Sequence, residues 1–523
     1  MKYYGGSGDD TIVGTDLDDE IYGNGGDDLI IGGGGNDLLS GGDGNDTIHG
    51  GANDDTIYGG TGENWLYGDD GNDTIYSQPT DFGFGLWINP VDHIDGGSGI
   101  DTLYLQRDFA QYHWSSLYLN ISDPTKTATL QDGTTITGIE SLHFFGGDES
   151  DIVIGGIGNN VLNGGGGSDS LTGGPRDDVL DGGPGADTMY GGGGNDYFYS
   201  IGTDPDWIDG GDGIDTARID RSSATMAYNF MLHSNSQTPQ DIGDGTTLVR
   251  VESIDFTGGS GDDILGGGIY SEYGNTLHGG GGNDQLYDGF GNDYLDGGDQ
   301  HDTIHSYYGF DTIDGGNGND TLILNRMGSK QNLHLDLTDP STPQTIGDGG
   351  TQQTPHGNIL LGTSVVNIEN VIFSGGSGND VVTGGEFSDT LYGMAGNDTL
   401  CGGTQSAGMG NIDRLDGGPG NDTLIGGPGA DYFMFDDVAN NLPQSVDHVV
   451  NFTVASDRGV QADKILLNDV AFTDLDPNMS ASAFYAHVHE AQTAIFFTMG
   501  TCSPISMAPR SCCIQTSKSI TKE

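Results

Sequence analysis

The sequence predicts an all-β solenoid in which short parallel strands stack coil upon coil, and three observations carry that prediction. From Gly5 to Tyr76 a nine-residue unit, G-G-x-G-x-D-x-U-x with U a large aliphatic, recurs eight times in register. Its eighth position is Ile or Leu in every copy: Ile12, Ile21, Ile30, Leu39, Ile48, Ile57, Leu66 and Ile75. Its sixth position is Asp in all but one, where Asn64 stands. A loop keeps such spacing only when each copy occupies the same place in a repeating structure.

Each part of the unit has a structural reading. The x-U-x triplet (TIV, TIH, TIY) is β-prone and predicts a short strand. The GGxGxD hexad before it predicts a tight turn, because glycine permits positive φ and close backbone approach. One inward aliphatic per strand buries nothing alone. Two copies therefore make one coil, strand–turn–strand–turn, and coils stack about 4.8 Å apart as parallel strands. Eight copies make four coils, a slab roughly 19 Å long around two facing rows of Ile and Leu.

Composition excludes several function classes. Of 523 residues only 33% are hydrophobic and 96 are Gly, which does not build an ordinary compact core. The net charge is −63, from 78 acidic against 15 basic residues. That balance alone would fit a disordered polyanion, but disorder has no reason to place an aliphatic at every ninth residue. It also argues against nucleic acid, whose phosphates call for Lys and Arg, and against anionic membrane surfaces. No stretch approaches the ~20 apolar residues of a membrane span. The four cysteines, Cys401, Cys502, Cys512 and Cys513, are too few and too C-terminal for a disulfide framework. The start, MKYYGGSGDD, lacks the apolar core of a secretory signal peptide.

The unit returns along the chain. Repeat blocks span residues 1–76, 146–199, 258–323 and 375–434, the third interrupted at Gly267–His278 and the fourth around Thr404–Asp416. Between them lie β-rich inserts at 77–145, 200–257 and 324–374 that form a second, larger repeat. These start at Asp92, Asp206 and Asp311 and end in GIESLHF, RVESIDF and NIENVIF. Alternating stretches inside them, LYLNISD and LHLDLTD, predict further strands that act as spacers or lateral covers. Glu140, Glu252 and Glu369 occupy matching places there, and duplication of a polar outer-face residue explains them better than catalysis does. Residues 435–497 predict a C-terminal cap. From Thr498 to Glu523 the repeat is lost, with little acid and three of the four cysteines. The expectation for this tail is a departure from the native reading frame.

Stacking brings the sixth-position acids together. Turns on one edge recur every second copy, so Asp10, Asp28, Asp46 and Asn64 form one column, and Asp19, Asp37, Asp55 and Asp73 the other. Unit charges about 4.8 Å apart repel by roughly 0.9 kcal/mol in water and about 3.5 kcal/mol at an effective dielectric of 20. A divalent cation between successive turns reverses that sign. Carboxylates and glycine-loop carbonyls supply hard oxygen ligands, which suit Ca²⁺ better than Zn²⁺, copper or Mg²⁺. A repeat that stacks without metal is the alternative. The same position elsewhere adds Asp101, Asp151, Asp169, Asp178, Asp187, Asp196, Asp215, Asp263, Asp284, Asp293, Asp302, Asp311, Asp320, Asp380, Asp389, Asp398, Asp422 and Asp431 as metal ligands.

The nonapeptide resembles the RTX, or hemolysin-type, calcium-binding repeat. That resemblance implies a parallel β-roll in which each GGxGxD turn is a half-site for Ca²⁺. The end of the chain, GGPGADYFMF followed by DHVVNF and ADKILL, is similar to the C-terminal domain of serralysin-type metalloproteases. Asn451 and Leu466 stand where that pattern has acids, while Phe433, Phe435, Phe452 and Ile465 could cover the open end of the stack.

No catalytic constellation emerges. His489-Glu490 is followed by no second histidine, and GxSxG and Walker A loops are missing. His487 and His489 would share a strand face, without further ligands nearby. The leading reading is a non-enzymatic, Ca²⁺-dependent repeat protein, secreted or at the cell surface and exported by type I secretion. Two alternatives are the repeat region of a secreted RTX enzyme or toxin (protease, lipase or epimerase) lacking its catalytic part, and an adhesin spacer. A cell-surface or polysaccharide partner is left open.

Overall fold

The computed structural model describes residues 1–77, 80–81, 87–88, 91–107, 116–233, 236–268, 273–307, 309–354, 357–403, 411–435, 447–450, 463–467, 495–498 and 519–522. Among these the chain forms strands and turns and no helix. The strands run parallel in several sheets, so the architecture is the expected parallel β-roll.

The register is that of two copies per coil. On one sheet Ile12 faces Ile30, Ile30 faces Ile48 and Ile48 faces Leu66. On the opposite sheet Ile21 faces Leu39, Leu39 faces Ile57 and Ile57 faces Ile75. From Ile21 to Ile75 these eighth-position side chains are fully buried. Ile12, in the terminal coil, is only half-buried because no coil covers it from below. The ninth and seventh positions point outward and pair across coils, with Tyr58, Tyr76 and Tyr104 stacked at centroid distances of 4.4 and 4.6 Å.

Strands run longer than the expected triplet. Glu20–Gly25, Leu29–Gly34 and Leu38–Asp43 each continue through the first glycines of the next copy, which pair coil to coil (Gly33 with Gly51). With no side chain to separate them, the turn backbones pack as closely as the strands. At Gly42, φ is 111°, and a Cβ would lie under 3.0 Å from the carbonyl of Asn24.

The chain divides into two compact units, Met1–Ala224 with Leu232–Phe256, and Thr225–Met231 with Thr257–Glu523. In the first unit the first insert lengthens a coil without breaking one sheet: Leu103 faces Ile75 before it and Leu142 after it. The other sheet ends at Thr135–Thr137, flanked by antiparallel Ala128–Thr129, and a new one starts at Tyr118–Asn120 against Ile152–Ile154. The insert is thus a hand-over between stacks, more than a spacer. In the second unit Asn229–Met231 starts a sheet against Ile264–Gly266, and His334–Asp336 starts another against Val381–Thr383.

At the C-terminal end Phe433 is a fully buried core residue opposite Ile465 in register. Phe452, His487, His489 and Cys502, Cys512 and Cys513 lie outside the described residues, as do the side chains of Phe435 and Ile465. Ser519–Lys522 pairs antiparallel with His448–Val450 and with Ile495–Thr498.

Because the core is a single row of aliphatics per sheet, each has few substitutes. Ile48→Ala should cost about 2–5 kcal/mol, read as a lower urea midpoint with calcium present.

Candidate metal centre

Each sixth-position carboxylate is tied to the coil before it. Oδ1 of Asp28 accepts the backbone N–H of Asp10 at 2.7 Å, Asp46 that of Asp28 at 2.9 Å, and Asn64 that of Asp46 at 3.0 Å. On the other edge Asp37, Asp55, Asp73 and Asp101 accept from Asp19, Asp37, Asp55 and Asp73 at 2.7–2.8 Å. The same step links Asp151, Asp169 and Asp187, then Asp178, Asp196 and Asp215. In the second unit it links Asp263, Asp284, Asp302 and Asp320, and also Asp293 with Asp311. It recurs along Asp380, Asp398 and Asp422, and from Asp389 to Asp431 through Asp413. Both expected columns are therefore present.

The second oxygen carries the chemistry. In twenty of the twenty-five sequence-predicted aspartates, among them Asp28, Asp46, Asp169, Asp302 and Asp398, Oδ2 is buried with no hydrogen-bond partner. A buried carboxylate oxygen without a partner is costly, so a column of them calls for a counter-charge. Five are otherwise engaged. Asp10 takes the Gly6 N–H at 2.5 Å, Asp389 the Gly385 N–H at 2.9 Å, and Asp311 the Ser306 hydroxyl at 2.6 Å. Asp151 spends Oδ1 on the Leu117 N–H at 2.7 Å and takes a further bond from the Gly147 backbone, while Asp19 pairs with the N-terminal ammonium and Thr15. Burial, the dominant cause, pushes the carboxyls up: Asp46 and Asp73 to about 6, Asp55 and Asp101 to about 7, Asp196 to about 8.

In the regular turns a first-position glycine closes the pocket. A Cβ at Gly41 would lie under 3.0 Å from both Asp46 Oδ2 and the Gly59 carbonyl. Gly32 stands likewise against Asp37 and the Gly50 carbonyl, and Gly297 against Asp302 and the Gly315 carbonyl. The unpartnered carboxylate and the next coil's carbonyl thus converge on a space that only glycine leaves open. The donors are all oxygen, which fits a hard divalent cation of the calcium type.

The structure corrects one sequence expectation and extends another. Glu140, Glu252 and Glu369 are not outer-face residues. Their Oε2 atoms accept the N–H of Asp101, Asp215 and Asp320 at 2.8–2.9 Å, the place an aspartate holds elsewhere. Asp92, Asp206, Asp413, Asp447, Asp463, Asn160 and Asn275 also join the columns. Their signal was an Asp or Asn immediately before an x-U-x triplet; among them only Asn160 follows the full run of glycines.

Three coils carry their own cation. Arg107, Arg221 and Arg326 are at most 7% exposed and reach a serine at the first turn position. Arg221 donates to the Ser200 carbonyl at 2.8 Å, its hydroxyl at 3.1 Å and the Thr246 hydroxyl at 2.9 Å, and pairs with Asp244 at 2.6 Å. Arg326 repeats this at Ser306 and Thr363, and Arg107 at Ser77 and Thr134. The Ser200 hydroxyl in turn donates to Asp206 Oδ2 at 2.6 Å. The Oδ2 of Asp206, an orphan atom in a regular turn, is satisfied here, as is that of Asp311 by Ser306.

Fold and site together define a parallel β-roll whose turns present columns of oxygen half-sites. The family model described as the RTX calcium-binding nonapeptide repeat (4 copies) matches residues 4–39, 40–75, 91–105, 145–175, 172–200, 270–304, 298–326, 374–406 and 408–442. These cover just over half of the chain, which belongs to this calcium-binding repeat family. No curated protein matches the chain.

Raised carboxyl values stabilise the metal-free fold below the unfolded aspartate value near 4, and that contribution is lost as pH rises through about 6–8. Metal-stripped protein should therefore show more β-structure by circular dichroism at pH 5 than at pH 8; the reverse order would refute the account. Arg221→Met leaves Asp206 and Asp244 without their buried cation and should cost about 3–5 kcal/mol in urea unfolding with calcium present.

Proposed function

We propose that this chain is a calcium-dependent, non-enzymatic repeat protein whose roll folds as Ca²⁺ enters between successive turns. The sixth-position aspartates and the turn carbonyls are its ligands. The observation that carries this reading is the run of buried, partnerless Oδ2 atoms, many of them, such as those of Asp28, Asp37, Asp46 and Asp302, facing the same space as the carbonyl of the next coil's glycine. The repeats themselves are typically non-catalytic.

Extracellular calcium modules bind at about 10⁻⁴–10⁻³ M, which suits a chain unfolded where calcium is scarce and folded outside the cell. Proteins of this family are typically extracellular, and no described helix is long and apolar enough to cross a membrane. Secretion as an unfolded polyanion through a type I route, followed by folding in calcium, is the proposed life history. The likeness of residues 435–467 to a serralysin-type closing segment is supported by Asp447 and Asp463, which extend the two last columns beyond Asp422 and Asp431.

Circular dichroism of chelator-treated protein should show little β-signal, and millimolar calcium should restore it. A spectrum identical with and without calcium would overturn the proposal. Native mass spectrometry should count many bound ions per chain.

A further inference from the structure

One turn departs from the repeat in a way that adds a ligand. In Asp288–Asp296 an aspartate stands where the first glycine belongs. The register places Asp288 one coil before Ser306, as Gly59 lies before Ser77 and Gly182 before Ser200. At Gly59 and Gly182 a Cβ would fall under 3.0 Å from the side chain five residues on, Asn64 or Asp187. A side chain at this position is therefore pressed against its own turn's acid, and at Asp288 that side chain is itself a carboxylate.

Asp288, Asp293 and Asp311 are 0%, 3% and 1% exposed, and one carboxylate oxygen from each lies within 4.8 Å of the others. Asp293 Oδ2 is buried without a partner. Asp288 accepts the N–H of Gly289 and of Tyr307, each at 2.6 Å. Asp311 accepts from Ser306 and lies 3.6 Å from Arg326. Three carboxylates against this one guanidinium leave two negative charges, the complement of one divalent ion.

We propose that Asp288, Asp293 and Asp311 hold a divalent cation, Ca²⁺ by their all-oxygen donor set, in a site that the regular repeat does not contain. It is built on a side chain at a position where the repeat has none. The inference rests on the calcium reading above and deepens it. Three carboxylates, where a regular pair of turns brings two, raise the ligand charge and with it the affinity. This ion should be among the last to leave as free calcium falls.

The test is native mass spectrometry of the full chain across a descending series of free calcium, for the parent and for Asp288→Gly and Asp288→Asn. Glycine is what both counterpart coils carry, and asparagine keeps a hydrogen-bonding oxygen, so circular dichroism in calcium should be unchanged. At the lowest free calcium at which the parent still retains ions, each variant should hold one ion fewer. Equal counts at every concentration would overturn this site alone, whereas a parent chain that binds no calcium would overturn the broader reading with it.

Discussion

Most coils among the described residues depend on one hydrogen bond repeated at both edges, from the amide of one aspartate to the carboxylate of the aspartate in the next coil. It sets the stacking distance at the turns as the parallel ladder sets it in the strands. In most of these carboxylates it also spends one oxygen on the scaffold and leaves the other buried without a partner. The bond that builds the roll thereby also lays out its column of buried, unpartnered carboxylate oxygens.

The glycines belong to the same constraint. At the first turn position they leave room for the carboxylate and the neighbouring carbonyl to meet, so the pocket is made by what is missing from the side chain. The aliphatic rows supply the remaining cohesion, but each coil contributes only one buried side chain per strand.

The inserts solve the problem in another currency. At Ser77, Ser200 and Ser306 the turn glycine gives way to serine, and an arginine from the insert fills the place with a guanidinium. The glutamates after each insert take over the column from the aspartates. An insert is therefore a stack terminus with its own counter-ion and its own ligand surrogate. Its sequence gave little sign of this because the arginine and its serine lie 20–30 residues apart and share no local pattern.

Periodicity alone determined the parallel coils, the 18-residue register and the two acid columns, since each follows from residues that recur at fixed intervals. It also pointed to Asp28, Asp46 and their equivalents as ligands. What only the tertiary structure decided lies where the interval breaks. Glu140, read as an outer-face residue, proves to be a column member, and Asp288, an irregular copy of a glycine, becomes a neighbour of Asp293 and Asp311. The reason is physical: a repeat encodes its own neighbours, because position i always meets position i+18, whereas an insertion of variable length meets whatever the folded coil brings to it.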